Sequence, residues 1–105
     1  MEQGIKSESL KGLVNYQEGS VVSRTLIKKE TGSVTLFAFS KGQALSEHTV
    51  PFDAMVHILE GKSEVVISKK AYIVEAGEMI ILPANKPHAL SAIENFKMLL
   101  TMIRS

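Results

Sequence analysis

Cysteine is absent from the 105 residues of this chain. That absence excludes disulfides, thiolate metal sites and thiol nucleophiles, so any metal would have to be held by nitrogen or oxygen. An excess of charge of either sign is also missing. Twelve Lys and Arg residues stand against 11 Asp and Glu, for a formal net charge of +1. A balance that close gives no electrostatic footprint for nucleic acid or for an anionic membrane surface, and neither is expected as a partner. The adjacent lysine pairs Lys28-Lys29 and Lys69-Lys70 read as solvated strand ends or turns. No apolar run approaches the length of a membrane span, and Met1 to Leu10 is polar with no signal-peptide core, so the cytoplasm is the expected location. Also lacking are a serine in a strained Gly-x-Ser-x-Gly turn, a phosphate-cradling glycine loop, and a pair of carboxylates expected to converge.

The residues that are present suffice for one domain, 1–105, with too little chain for two independent cores. Hydrophobic residues make up 45% and charged residues 22%, the balance of an ordinary globular domain. The apolar residues come in short bursts: Val21-Val22, Leu26-Ile27, Val34 to Phe39, Ala54 to Leu59, Val65 to Ile67, Tyr72 to Val74, Met79 to Leu82 and Phe96 to Ile103. Most are too short for a helix and rich in β-branched or aromatic residues, which favours strands. Thr31-Gly32, Ser40-Lys41-Gly42, Glu60-Gly61-Lys62, Ser68-Lys69-Lys70 and Glu75-Ala76-Gly77 supply turn chemistry between them. Strands so evenly spaced, with no helical stretch between, predict an all-β antiparallel sandwich or barrel. Residues 1–20 show no clear periodicity and read as an N-terminal arm or a lead-in strand.

Two glycine-anchored segments each place a histidine on a predicted strand. The first runs Gly42-Gln43-Ala44-Leu45-Ser46-Glu47-His48-Thr49-Val50-Pro51-Phe52-Asp53-Ala54 and on to Gly61; the second runs Gly77-Glu78-Met79-Ile80-Ile81-Leu82-Pro83-Ala84-Asn85-Lys86-Pro87-His88 and on to Ala92. Gly61 and Gly77 fall where strands turn, at positions that tolerate positive φ. Pro83 and Pro87 withhold amide donors and so belong at strand ends. Asn85, between them, can take the left-handed conformation.

The pair, 42–61 and 77–92, resembles the two-part signature of the cupin superfamily. Gly42, His48 and Gly61 match the first motif, and Gly77, Pro83 and His88 match the second. Val50 stands at the family's second histidine position and Ala54 at its glutamate position. Asn85 replaces the inner glycine of the second motif, and Ala92 its terminal asparagine. The resemblance implies a cupin-like double-stranded β-helix, a jelly-roll barrel, with His48 and His88 converging inside. It also implies a divalent transition metal (iron, manganese, zinc or nickel) as the cofactor to be tested, with His48 and His88 as its ligands. Neither Val50 nor Ala54 can donate electrons to a metal. Asp53 could complete a two-histidine, one-carboxylate set only if the path through Pro51 turned it inward against strand alternation.

The expected pocket has Val50, Ala54, Val56 and Ile58 along one wall. Phe37 or Phe39 and Met98 or Leu100 add to it according to register, and His48, His88 and Gln43 are its polar groups. An apolar cavity with a few converging polar groups is the usual character of a small-molecule site. Three readings follow from different classes. The first is a cupin-like small-molecule-binding protein with weak or absent metal binding. The alternative is a metal-dependent oxygenase- or isomerase-type enzyme using His48 and His88. The third is a sensor or scaffold, for which no helix-turn-helix pattern is visible. On the opposite faces, Met55, His57 and Leu59 form a mostly apolar stripe, joined by Leu99 and Ile103. Cover by the N-terminal arm would account for them; a homodimer interface is the reading favoured.

Overall fold

The computed structural model describes residues 4–104. A short 3₁₀ turn, Leu10–Leu13, precedes the strands β1 (Val21–Lys29), β2 (Gly32–Phe39), β3 (Ala44–His48), β4 (Asp53–Glu60), β5 (Lys62–Ile67), β6 (Lys70–Glu75), β7 (Met79–Leu82), β8 (His88–Ala92) and β9 (Phe96–Ile103). All the pairings are antiparallel. They build a five-stranded sheet in the order β1-β2-β9-β4-β7 and a four-stranded sheet in the order β3-β8-β5-β6. The antiparallel all-β architecture expected from the sequence is therefore the one adopted. Each apolar burst became all or part of a strand. β3 and β8 escaped that pattern because each alternates small and polar residues with a single leucine.

Strand alternation carries one side chain in two onto the inner faces, where the sheets close on each other. From the larger sheet come Phe39 and Phe96, whose rings stack with centroids 4.4 Å apart, together with Ile58, Val56 and Met98. From the smaller sheet come Val65, Val74, Leu90 and Ala92. Ser63 is fully buried among them, and its hydroxyl donates to the Ser91 carbonyl at 3.0 Å, so the buried oxygen is satisfied.

The outer face of the five-stranded sheet is divided. Leu36 and Ala38 of β2, with Leu59 of β4 and Leu99 of β9, pack under the arm residues Leu13, Val14 and Tyr16. Polar contacts hold the arm in place. The Tyr16 hydroxyl donates to a Glu60 carboxylate oxygen at 2.5 Å, and Lys97 donates to the Lys11 carbonyl at 2.6 Å while lying over the Tyr16 ring. Burial and the Glu60 carboxylate together push the Tyr16 phenol well above its usual pKa, which keeps it the donor of that bond. The arm thus covers Leu59 and Leu99, two residues of the stripe read as an interface. Met55 and His57 are only half-buried, and Ile103 remains 64% exposed. Residues 1–3 of the expected arm lie outside the described residues.

Gly61 joins β4 to β5 with φ +81, and a side chain there would overlap the Asn95 carbonyl oxygen and the Phe96 backbone. Gly77 has a similar φ of +87 but faces open space. The two motif glycines therefore differ in cost. Gly77→Ala should lose about 1–2 kcal/mol, the strain of a left-handed alanine. Gly61→Ala adds a backbone collision and should lose distinctly more, on the order of 3 kcal/mol. Chemical denaturation of the two variants checks this; equal losses would contradict the close approach.

Candidate ligand pocket

A β-bulge decides where the first histidine points. β3 pairs with β8 so that Leu45 faces Leu90 and His48 faces His88, with a register shift between. Three steps along β3 thus match two along β8. Unbroken alternation from Leu45 would turn His48 outward; the extra residue re-aims it to the inner side. Pro87 withholds an amide immediately before β8, while its carbonyl accepts from Ser68 N–H at 2.9 Å and anchors the start of that strand. Asn85 takes φ +65, and its amide donates to the Val50 carbonyl at 2.8 Å, tying the β7–β8 loop to the chain after His48.

The rings of His48 and His88 meet edge to face with centroids 4.3 Å apart, and their Nε2 atoms are 3.1 Å apart. His88 is only 4% exposed, whereas His48 is exposed and forms the rim. Below them lies a cavity of about 40 Å³. Val50, Ala54, Val56, Met98 and Leu100 line it, as sequence reasoning placed them, and so do Leu45, Leu82, Leu90 and Met102, which it did not name. These four were legible as the inward set of their strands once the register was known. Gln43 lies outside the lining, at the foot of β3, where its backbone bonds Ser40 and Ala92. Phe37, Phe39 and Ile58 also lie outside it, packed in or against the closed core. His57 is on the outer face, opposite Met79 and Leu99.

Counting protons on the imidazoles shows what the pair needs. Nδ1 of His48 faces the Ser46 carbonyl at 2.9 Å, and Nδ1 of His88 faces the Lys86 carbonyl at 3.3 Å. A carbonyl can only accept, so the tautomers that satisfy both carbonyls carry the hydrogen on Nδ1. Two neutral rings would then point bare Nε2 lone pairs at each other. The arrangement is satisfied when one further positive centre or donor lies between the rings: a proton, a ligand N–H or O–H, or a metal ion.

The donor set was tested against a resident metal. Two nitrogens 3.1 Å apart, each at the roughly 2.0–2.1 Å of a zinc–imidazole bond, subtend about 100° at an ion, suitable for neighbouring ligands. The Nδ1–H to carbonyl bonds are also of the kind that orients ligating histidines. The set stops there. Among the described residues no group of three or more His, Asp or Glu could hold an ion. Asp53 does not turn inward: it is exposed, and its Oδ1 accepts from Ala84 N–H at 2.8 Å. Glu47 is likewise exposed. The residues present do not fit a catalytic metal held by protein ligands alone.

Burial pushes the His88 pKa below the ordinary 6.5; the neighbouring His48 adds to this and the Lys86 carbonyl opposes it. The unfolded chain therefore takes up a proton at this position at higher pH than the folded chain does. The stabilising contribution is fully present above pH 6.5 and is lost as pH falls from there through the lower folded value. Thermal unfolding across that range should show a falling Tm with falling pH, with a shallower slope in His88→Gln. Identical slopes would contradict it.

Comparison with known proteins places this geometry in a family. The Cupin domain family matches residues 35–104. The solved structure of a conserved protein of unknown function from Streptococcus pyogenes is 38% identical, covering 100% of this chain and 91% of that one, with a TM-score of 0.93. A cupin superfamily protein from Desulfitobacterium hafniense is 25% identical, covering 100% of this chain and 95% of that one, with a TM-score of 0.92. A cupin 2 conserved barrel domain protein from Leptotrichia buccalis is 42% identical over 90% of this chain with a TM-score of 0.87, and the match spans only 46% of that protein. A search of curated proteins finds no match. No helix among the described residues is long and apolar enough to cross a membrane. A family match across most of the chain and whole-length likeness to solved barrels agree with the two-histidine frame: this chain belongs to the cupin superfamily.

Proposed function

We propose that the chain is a small-molecule-binding cupin, whose pocket takes a short apolar group beneath a polar contact with His48 and His88. The observation that carries this reading is the facing pair of Nε2 atoms above an apolar chamber. A ligand donor between the rings would complete their hydrogen bonding, while Val50, Ala54, Val56 and Leu82 enclose its apolar end. A cavity of about 40 Å³ has room for about three water molecules, or an aliphatic group of similar bulk. The enclosed part of the ligand is therefore short.

The 3.1 Å spacing supports a second reading, in which the pair contributes two positions to a metal whose other positions come from solvent or a chelating ligand. Elemental analysis of protein prepared without chelator separates the two. Under the first reading, the natural chain carries transition metal well below one equivalent, and His48→Ala leaves that level unchanged. The Val50→His, Ala54→Glu double variant, which supplies donors at the family's other two ligand positions, should gain metal. Near-stoichiometric metal in the natural chain, lost in His48→Ala, would establish the second reading. Thermal shift with short-chain alcohols, amines and acids tests binding itself. A raised Tm for some of them, abolished by Ala54→Glu filling the chamber, is the expected result.

We also infer that the uncovered half of the outer face pairs with a second copy of this chain. The register lays Ile27, Val34, Thr101, Met55 and Ile81 in one row across all five strands of the larger sheet, with Met79 and Ile103 beside it. Met79 is 50% and Ile103 64% exposed, beyond the edge of the arm's cover. A sheet face can meet its own copy about a two-fold axis with the same residues contributed by both partners. Sedimentation at micromolar concentration should give a dimer, converted to monomer by Ile81→Glu. A monomeric natural chain would remove this inference.

A further inference from the structure

We propose that the turn end of the β1–β2 hairpin forms a second site, for a small phosphate- or carboxylate-bearing molecule. The inner side of the larger sheet changes character along this hairpin. Phe37 and Phe39 are apolar and face the core, but the next inward positions on β2 are Thr35 and Ser33. Opposite them on β1 stand Thr25 and Lys28. These four side chains, with Lys29 and Arg104, line a groove of about 290 Å³, near the lower limit of about 300 Å³ for small-molecule sites and far larger than the histidine chamber.

The groove has the composition of an anion site. Among the described residues its lining holds three cations and three hydroxyls, and no carboxylate. Among the described residues, no acid lies within salt-bridge distance of Lys28, Lys29 or Arg104; the ion pairs found are Lys6–Glu8 and Lys62–Glu75. The two nearest acids in sequence and register do not answer the charge. Glu30 is exposed in the turn after β1, and Asp53 is engaged with the Ala84 amide. Arg104 is held in place, its backbone amide donating to the Thr31 carbonyl at 2.8 Å and its guanidinium stacked 5.1 Å from the centre of the Phe52 ring. A stacked guanidinium keeps its N–H donors free for an oxyanion, and hydroxyls on the adjoining strands supply neutral donors of fixed register. Nothing in the overall charge of +1 signals this site, because the excess is local.

The site is independent of the histidine pocket, which differs in lining except for Met102. The full chain is titrated at low ionic strength with inorganic phosphate and, separately, with succinate, and backbone amide resonances are followed by NMR. The expected result is saturable shifts clustered at Thr25, Ser33, Thr35 and Arg104, weakened by added salt. The tighter of the two probes identifies the ligand as a phosphate or a carboxylate compound. Lys28→Ala combined with Arg104→Ala should weaken binding by about tenfold or more, with cooperative thermal unfolding retained to show that the fold persists. His88→Ala should leave phosphate and succinate binding unchanged. Non-saturating shifts spread over the surface lysines, an unaltered affinity in the double variant, or loss of binding in His88→Ala would each overturn the proposal. The last would place the anion at the histidines. Failure of short-chain ligands to bind the chamber would leave this site standing.

Discussion

The structure depends on the two sheets closing unequally. At one end the stacked Phe39 and Phe96 rings, with Ile58 and Val65, fill the space between the inner faces completely. At the other no aromatic ring lies between the faces, and Val50, Ala54 and Val56 meet the leucines and methionines of the neighbouring strands over a small chamber. A close-packed plug resists collapse, because interiors are dense and transmit strain rather than absorb it. The plug therefore sets the separation of the sheets, and the chamber is what remains where the aromatic filling ends. Gly61 belongs to the same constraint: its missing side chain lets the β4–β5 turn approach Asn95 and Phe96, seating the aromatic stack.

Upon that frame the histidine pair is fixed by backbone rather than by side-chain partners. Both Nδ1 atoms are oriented by carbonyls two residues earlier in the chain, so each ring is steered by its own loop. Such anchoring needs no neighbouring donor at Val50 or Ala54. It sets a polar rim above walls that offer no hydrogen bond. The proposed ligand would meet both: a donor at the rim and a short apolar group below.

Much of this was legible in the sequence, for reasons that can be named. The apolar bursts gave most strands because β-branched runs bounded by turn residues have few other uses. Asn85, Gly61 and Gly77 were readable because only a few residue types tolerate a left-handed backbone, and all three adopt it. Ala54 and Val56 followed from alternation, and Val50 from the family frame. What was not legible depended on events that alternation does not encode. The bulge between Leu45 and His48 is one; it directs the histidine inward, and no residue type marks it. The division of the outer face is another: cover by the arm was one of two readings of the stripe, but an arm without periodicity did not show that Val14 and Tyr16 would dock on Leu36 and Leu99. Gln43 falls outside the lining because it precedes β3, in the turn where its backbone bonds Ser40 and Ala92. The groove at Lys28 and Arg104 joins segments far apart in the chain, and each alone looks like a solvated strand end.

The absence of donors at Val50 and Ala54 bears on what kind of cupin this is. A barrel that bound nothing would gain about 2 kcal/mol from an apolar side chain in place of a buried imidazole. Instead both rings persist, one of them buried at a desolvation cost visible in the lowered pKa of His88. A buried imidazole facing a second imidazole, with no apolar replacement, is a local conflict of the kind that marks functional sites. With both Nδ1 atoms donating to carbonyls, the facing Nε2 atoms take one proton, donor or ion between them. Neither Val50 nor Ala54 offers a donor that would make that occupant a tightly held metal, and the proposed small-ligand site rests on the two imidazoles alone.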